Sequence, residues 1–200
     1  MRRGWTLVVP VKGSTGKSRL THPDRAELAT AIALDTVEAA RRATAVREVV
    51  VVTGDPVIGP LLEQAGSSGV PVRLIPDPGT GLNGAIAAGL GAAGGDRAVM
   101  LGDLPALHAA DLDAALALAS AHARSFVPDA EGSGTTLIAA RAGETLEPAF
   151  GADSAARHAA AGHAPLDVAA SSSLRRDVDT AEQLRAAAAL GLGPRTAALL

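Results

Sequence analysis

The stretch from Thr6 to Leu20 (TLVVPVKGSTGKSRL) constrains the fold of this chain more than any other. Its first part is a short apolar run rich in β-branched residues, which predicts a buried strand. Pro10 prevents further pairing, and the loop that follows contains glycines, lysines, an arginine and hydroxyl side chains. Glycines let backbone N–H groups approach an anion, and cationic side chains neutralise it. This order of elements is therefore typical of phosphate sites in α/β proteins.

The loop differs from a P-loop at one position. A P-loop carries another glycine upstream of its Gly-Lys-Ser, and Val11 occupies that position before Gly16-Lys17-Ser18. We therefore interpret the segment as a different kind of nucleotide loop. A solvated basic turn is the open alternative.

Composition limits the function classes. The 200 residues fit one domain, spanning 1–200, that can bury a substantial core. With 18 basic and 21 acidic residues the net charge is −3, which argues against a general nucleic-acid binder. The absence of cysteine excludes disulfides, a thiolate nucleophile and a Cys-ligated metal.

The N-terminal segment does not have the pattern of a signal peptide, because its apolar run is short and Pro10 interrupts it. No segment approaches the ~20 apolar residues that cross a bilayer. We expect a cytoplasmic protein that binds no membrane.

Helical and strand patterns alternate along most of the chain. After the first strand, further strands are predicted at 48–53, 70–75, 97–101, 125–128, 135–140 and 174–178. Helices are predicted at 25–43, from about 57 to near 66, after the 77–84 loop, and at 111–121, 154–161 and 180–190. Short connections predict a right-handed doubly wound sheet, and the two successive strands at 125–140 predict that it becomes mixed.

Aspartates follow two of the predicted strands. Asp103 comes just after the fourth strand, and Asp177 and Asp179 come at the end of the last one. Ligands of open α/β sheets bind beyond the carboxyl ends of strands, and Mg²⁺ commonly takes one or two protein carboxylates together with substrate phosphates. The alternatives are a turn role for Asp103 and an N-cap role for Asp179, with Glu182 completing a capping box.

Two loops that open helices are further candidates. Asn83, in the loop 77–84, offers a donor and an acceptor suited to a purine edge, or it is the N-cap of the next helix. Ser154 and the N–H groups of 148–154 could hold a phosphate or carboxylate, with ordinary capping as the alternative. His158 and His163 lack the spacing of metal ligands and are interpreted as surface or supporting residues.

Taken in order, these motifs resemble the CofC/FbiD family of guanylyltransferases, which act in coenzyme F420 biosynthesis. The resemblance runs from about Leu7 to Leu184 and rests on PVKGSTGKSRL, GTGLNGAI, GDLPAL, GSGTTLIAA, PAFGADSAARH and DVDTAEQL. It implies a three-layer α/β/α, Rossmann-like nucleotide-diphospho-sugar transferase (GT-A-like) fold with a mixed, mostly parallel sheet. The implied reaction joins GMP from GTP to the phosphate of phosphoenolpyruvate or 2-phospho-L-lactate, and it releases pyrophosphate.

The resemblance also implies roles for individual residues. Asp103 and Asp179 would hold Mg²⁺, and Lys17 and Arg19 would act catalytically on the phosphates. The phosphoenolpyruvate would contact Thr136, Gly151 and Ser154. The GTP would contact Lys12, Gly13, Gly16, Lys17, Ser18, Arg19 and Asn83.

No catalytic base is required, because the attacking phosphate oxygen is already anionic. Cations that screen the two anions and align an in-line attack suffice. Phosphoenolpyruvate is the favoured acceptor, and the product would pass to a deazaflavin transferase. The alternatives are 2-phospho-L-lactate, 3-phosphoglycerate, a molybdopterin or sugar phosphate, or a non-catalytic nucleotide-binding module.

Overall fold

The computed structural model describes residues 4–12, 23–64 and 69–200. Within them a seven-stranded sheet has the order β3-β2-β1-β4-β6-β5-β7. The strands are β1 (Trp5–Pro10), β2 (Val46–Thr53), β3 (Val72–Pro76), β4 (Arg97–Met100), β5 (Arg124–Pro128), β6 (Thr135–Ala140) and β7 (Ala164–Pro165). The helices are α1 (Arg25–Arg42), α2 (Ile58–Gln64), α3 (Leu82–Ala92), α4 (Ala109–Ala119), α5 (Ser154–Ala160), α6 (Ala181–Ala188) and α7 (Pro194–Ala197).

Strand β6 gives the sheet its mixed character. It pairs antiparallel with β4 and with β5, whereas every other pairing in the sheet is parallel. A turn closed by the amide of Asp129 and the carbonyl of Gly134 (3.1 Å) joins β5 to β6. The start of β6 therefore lies at the same edge as the carboxyl ends of the other strands. The predicted mixed, mostly parallel sheet is confirmed.

Helices cover both faces of the sheet, because the central strands are apolar on both sides. In β1, Leu7 and Val9 pack with α1, α2 and α4, while Val8 packs with α3 on the other face. These three side chains are fully buried. The core therefore lies in two layers, one on each side of the sheet, as the three-layer prediction requires.

The predicted strand at 174–178 is wrong. Ser173–Arg175 is instead a short 3₁₀ helix. The backbone amide and the hydroxyl of Ser173 donate to one carboxylate oxygen of Asp111, at 2.7 and 2.6 Å. The Ser173 amide, which would pair with a neighbouring strand in a sheet, is thus satisfied by a side chain. Conversely, the two-residue strand β7 was not predicted, because it is too short to carry an alternating pattern.

The Ala-rich tail is helical, as expected, and packs beside α1. The buried carboxylate of Asp35 accepts hydrogen bonds from the backbone amides of Arg195 (3.2 Å) and Thr196 (2.7 Å) at the start of α7. Since Asp35 lies in α1, this contact ties the end of the chain to the first helix. Among the described helices, none is long and apolar enough to cross a membrane.

Candidate active site

A cavity of about 740 Å³ opens at the carboxyl edge of the sheet. The topology explains its position, because β1, β3, β4 and β5 all end there and β6 starts there. Its lining includes Lys12 after β1 and six aspartates: Asp77, Asp103, Asp129, Asp153, Asp177 and Asp179. This composition favours a ligand that combines anionic groups with a cation.

Asp103 is held beside the segment 177–179 by the backbone. The amide of Val178 donates to the carbonyl oxygen of Asp103 at 3.1 Å. Val178 is fully buried and packs with residues of α1 and α6, whereas its neighbours Asp177 and Asp179 line the cavity. Asp103 and Asp179 therefore line one cavity, although Asp179 does not follow a strand.

Asp129, at the end of β5, is a further acidic group that the sequence analysis did not single out. One of its carboxylate oxygens accepts from the amide of Gly134 at 2.8 Å, and the guanidinium of Arg175 donates to its carbonyl oxygen at 2.8 Å. A Cβ on Gly134 would collide with the Asp129 carboxylate. The tight turn thus fixes this carboxylate at the cavity wall.

The aspartates repel one another electrostatically. Burial, together with the charges of Asp103, Asp129 and Asp179, raises the pKa of Asp177 to about 7. The Oδ1 atoms of Asp129 and Asp177 are buried, with no hydrogen-bond partner among the described residues. Asp129, Glu131 and Asp177 each offer one oxygen within 4.8 Å of the others. Such a group of carboxylate oxygens could bind a metal ion, since a hard cation prefers oxygen ligands.

Asp177 therefore has a more central place in the cluster than the sequence indicated. The sequence Asp177-Val178-Asp179 has two aspartates separated by one residue, and they differ in how far each side chain is buried. Asp177 is half-buried and Asp179 is exposed. The predicted metal role of Asp179 stays a prediction. Its alternative as an N-cap is wrong, because Thr180 caps α6 and forms the capping box with Gln183.

Two of the three predicted acceptor residues line the same cavity. Gly151 and Ser154 line the cavity, together with Thr135 rather than the predicted Thr136. Thr136 is fully buried, and its hydroxyl has no hydrogen-bond partner among the described residues. The acceptor role of Thr136, Gly151 and Ser154 stays a prediction.

The basic loop is described only in part. Lys12 lines the cavity. The other residues predicted for the nucleotide or for catalysis lie outside the described residues: Gly13, Gly16, Lys17, Ser18 and Arg19. Their roles stay predictions.

A comparison of the sequence with known protein families identifies the family of this chain. Residues 26–190 match the model of the MobA-like NTP transferase domain. The chain belongs to the MobA-like NTP transferase family. It is therefore a nucleotidyltransferase, and the expected enzyme class is confirmed.

Individual relatives agree with the family assignment. The chain is 50% identical to the phosphoenolpyruvate guanylyltransferase of Thermomonospora curvata, over 98% of this chain and 88% of the relative. It is 49% identical to the phosphoenolpyruvate guanylyltransferase of Streptomyces scabiei, over 97% and 94%. These relatives confirm the family resemblance that the motifs indicated.

A solved structure supports the fold class. A nucleotidyl transferase from Methanothermobacter thermautotroptrophicus superposes with a TM-score of 0.65 at 24% identity, and the alignment covers 94% of this chain and 98% of that one. The nucleotide-diphospho-sugar transferase fold predicted from the resemblance is thereby confirmed.

In this MobA-like transferase, Asn83 does not line the cavity but bonds the backbone of Phe150, which does. Its side-chain amide donates to the carbonyl of Phe150 at 3.1 Å, and its oxygen accepts from the amide of Phe150 at 2.9 Å. Asn83 is not the N-cap of α3, because Gly81 holds that position. The predicted contact between Asn83 and a purine remains a prediction.

His158 in α5 and His163 just after this helix are both buried. Their interpretation as surface residues is therefore wrong, and their interpretation as supporting residues applies. The His158 ring contacts Thr135 through Nδ1 (3.0 Å) and Ala149 through Nε2 (3.2 Å). Burial, with a smaller contribution from the nearby His163 and Arg157, lowers the pKa of His158 to about 4. His158 is therefore neutral at neutral pH.

Proposed function

We propose that this nucleotidyltransferase is a phosphoenolpyruvate guanylyltransferase. It transfers GMP from GTP to the phosphate of phosphoenolpyruvate and gives enolpyruvoyl-2-diphospho-5'-guanosine and pyrophosphate. One structural observation carries the proposal: the bond from the Val178 amide to the Asp103 carbonyl brings Asp103, which follows β4, and the segment Asp177–Asp179 together at one cavity. The names of the relatives from Thermomonospora curvata and Streptomyces scabiei supply the substrate class.

The proposed metal is Mg²⁺, held by carboxylates of the acidic cluster that Asp103, Asp129, Asp177 and Asp179 form at the cavity. The residues fit the ion, because buried carboxylate oxygens of Asp129 and Asp177 have no hydrogen-bond partner among the described residues. When bound, Mg²⁺ would polarise phosphoryl oxygens and neutralise developing negative charge. A cation would also offset the mutual repulsion that raises the pKa of Asp177.

The rest of the reaction needs orientation rather than proton transfer. A phosphate oxygen of phosphoenolpyruvate forms a bond to the α-phosphorus of GTP, and the bond from that phosphorus to the β-phosphate bridging oxygen breaks. The electron pair leaves with pyrophosphate, and no proton moves. Lys12 at the cavity wall, with Lys17 and Arg19 as predicted, would screen the two anions and stabilise the leaving group.

Gly151 and Ser154 at the cavity would hold the acceptor, with the buried Thr136 as the third predicted residue. We assign the product to coenzyme F420 biosynthesis, where a deazaflavin transferase would consume it in the cytoplasm. 2-Phospho-L-lactate is the second candidate acceptor, since it differs from phosphoenolpyruvate only by two hydrogens, which turn the carbon–carbon double bond into a single bond. 3-Phosphoglycerate is a third.

The test is pyrophosphate release from GTP and Mg²⁺, measured in parallel with phosphoenolpyruvate, 2-phospho-L-lactate, 3-phosphoglycerate and no acceptor. The proposal expects release that depends on phosphoenolpyruvate, with ATP replacing GTP poorly. Release only with another acceptor would overturn the substrate while keeping the reaction. No pyrophosphate release with any of these acceptors would overturn the proposed guanylyl transfer.

A further inference from the structure

The loop that contains Phe150 is held by side chains rather than by a ladder. Asn83 of α3 bonds both the amide and the carbonyl of Phe150. Arg157 of α5 bonds the carbonyls of Ala149 (2.9 Å from Nη2) and Ala152. His158 accepts from the amide of Ala149 at 3.2 Å. Both polar backbone groups of Ala149 and both of Phe150 are therefore satisfied by side chains of two different helices.

The bond to Ala149 fixes the protonation of the His158 ring. A backbone amide can only donate, so Nε2 must be the unprotonated acceptor nitrogen. In a neutral imidazole the proton is then on Nδ1, which donates to the hydroxyl oxygen of Thr135 at 3.0 Å. His158 is fully buried, so water does not compete for either nitrogen.

This arrangement leaves the hydroxyl proton of Thr135 for another partner. Thr135 accepts from His158, so its own O–H remains a donor, and Thr135 lines the cavity. The same ring therefore orients a hydroxyl donor on β6 and holds the loop that precedes Gly151. Thr135 and Gly151 both line the cavity.

We propose that His158 is a positioning residue for the phosphorylated acceptor: it fixes the Ala149–Phe150 loop and turns the hydroxyl of Thr135 toward the acceptor's phosphate or carboxylate. The proposal rests on the proposed function for the identity of that acceptor. In this scheme His158 acts only through Thr135 and the loop and does not touch the substrate.

The two bonds of the ring can be separated with matched variants. An asparagine amide reaches about as far as Nδ1, and a glutamine amide about as far as Nε2. His158→Gln therefore keeps a partner for Ala149, whereas His158→Asn keeps a partner for Thr135. His163→Gln is the control, because His163 is also buried and contacts the carbonyl of His158 without touching the loop or Thr135.

Steady-state kinetics with each substrate varied gives the first readout. Loss of one buried hydrogen bond corresponds to roughly a fivefold to thirtyfold effect. We expect each His158 variant to raise the KM for the acceptor by about that factor, with the KM for GTP within about twofold of the wild-type value. The His163 variant should lower thermal stability without changing the ratio of the two KM values.

Hydrogen exchange of the segment 149–154 gives a second readout that needs no substrate. We expect faster exchange in His158→Asn, which loses the loop bond, and near-normal exchange in His158→Gln. The positioning role is overturned if the acceptor KM is unchanged in both variants. It is equally overturned if both KM values rise together, as in a general loss of structure.

The failure of the proposed function gives a different pattern. If wild-type protein is inactive with phosphoenolpyruvate, the same variants are measured with the acceptor that does support turnover. If no acceptor does, the proposed function fails. Unchanged hydrogen exchange in His158→Asn would then overturn the positioning role without any activity measurement. Faster exchange confined to 149–154 would support the part of the proposal in which His158 fixes the loop.

Discussion

The backbone amide of Val178 donates a hydrogen bond to the carbonyl oxygen of Asp103 across 3.1 Å. This single bond joins the end of β4 to a segment that lies more than seventy residues further along the chain. Because Val178 packs into the core, the aspartates on either side of it are presented to the cavity. One backbone contact and one buried valine thus place Asp177 and Asp179 beside Asp103.

Removal of individual charges should identify the essential carboxylates. We expect Asp103→Asn and Asp177→Asn to lower pyrophosphate release by roughly a hundredfold, because each removes a charge that holds the proposed cation. Asp179→Asn should cost less, since Asp179 is exposed. Glu182→Gln is the matched control, because it removes an exposed charge from the first turn of α6. Equal activity of the Asp177 variant and the control would contradict the assignment.

Metal binding should stabilise the fold. At a Mg²⁺ concentration well above its dissociation constant, we expect a gain of about 2 kcal/mol, which for a chain of this size raises the thermal midpoint by roughly 4–8 °C. Asp129→Asn keeps an acceptor for Gly134 but loses its charge, so most of the shift should disappear. Glu131→Gln, at an exposed position, should lose less. A full shift in the Asp129 variant would place the ion elsewhere.

His158 should make stability depend on pH in the acid range. Its folded-state pKa of about 4 lies below the ordinary 6.5, so the unfolded chain binds the proton more readily. The contribution is therefore complete above pH 6.5 and is lost as the pH falls toward 4, by about 3 kcal/mol in total. Denaturant unfolding of wild type and His158→Gln at several pH values measures it as a difference.

The difference between the pH profiles of wild type and His158→Gln reports on His158 alone. Asp177 changes stability with pH in the opposite direction, but it does so equally in both proteins and cancels. With its pKa raised to about 7, Asp177 contributes a loss of stability as the pH rises from about 4 to 7. Parallel pH profiles for wild type and His158→Gln would show that the ring titrates normally and would contradict its burial as a neutral group.

The packing of α3 on the sheet should be sensitive to one methyl group. A Cβ on Gly89 would collide with Val8 and lie 2.7 Å from Cγ2 of Val52, whereas a Cβ on Gly91 meets nothing within 4 Å. We expect Gly89→Ala to lower the free energy of unfolding by roughly 1–3 kcal/mol. Gly91→Ala should raise it by up to about 1 kcal/mol, from helix propensity. Urea denaturation compares the two, and equal effects would contradict the close approach of helix and sheet.

The order of elements could be predicted because it depends on local patterns. Runs such as 48–53 are apolar on both faces and can only be buried strands of a covered sheet. The 3₁₀ helix at 173–175 could not be predicted, since its conformation depends on the carboxylate of Asp111, sixty-two residues away. β-Branched content alone cannot reveal such a partner.

The candidate site divides in the same way. By itself the sequence determined that Asp103 follows the strand β4 and therefore lies at the carboxyl edge of a doubly wound sheet. The place of Asp177 and Asp179 beside it did not follow from a strand end, because the predicted strand at 174–178 does not form. Only the tertiary structure decided that Asp129 joins them, that Asp177 lies deeper than Asp179, and that His158 is a buried neutral ring. Burial and hydrogen-bond partners arise from contacts between distant segments, and no pattern of neighbouring residues encodes them.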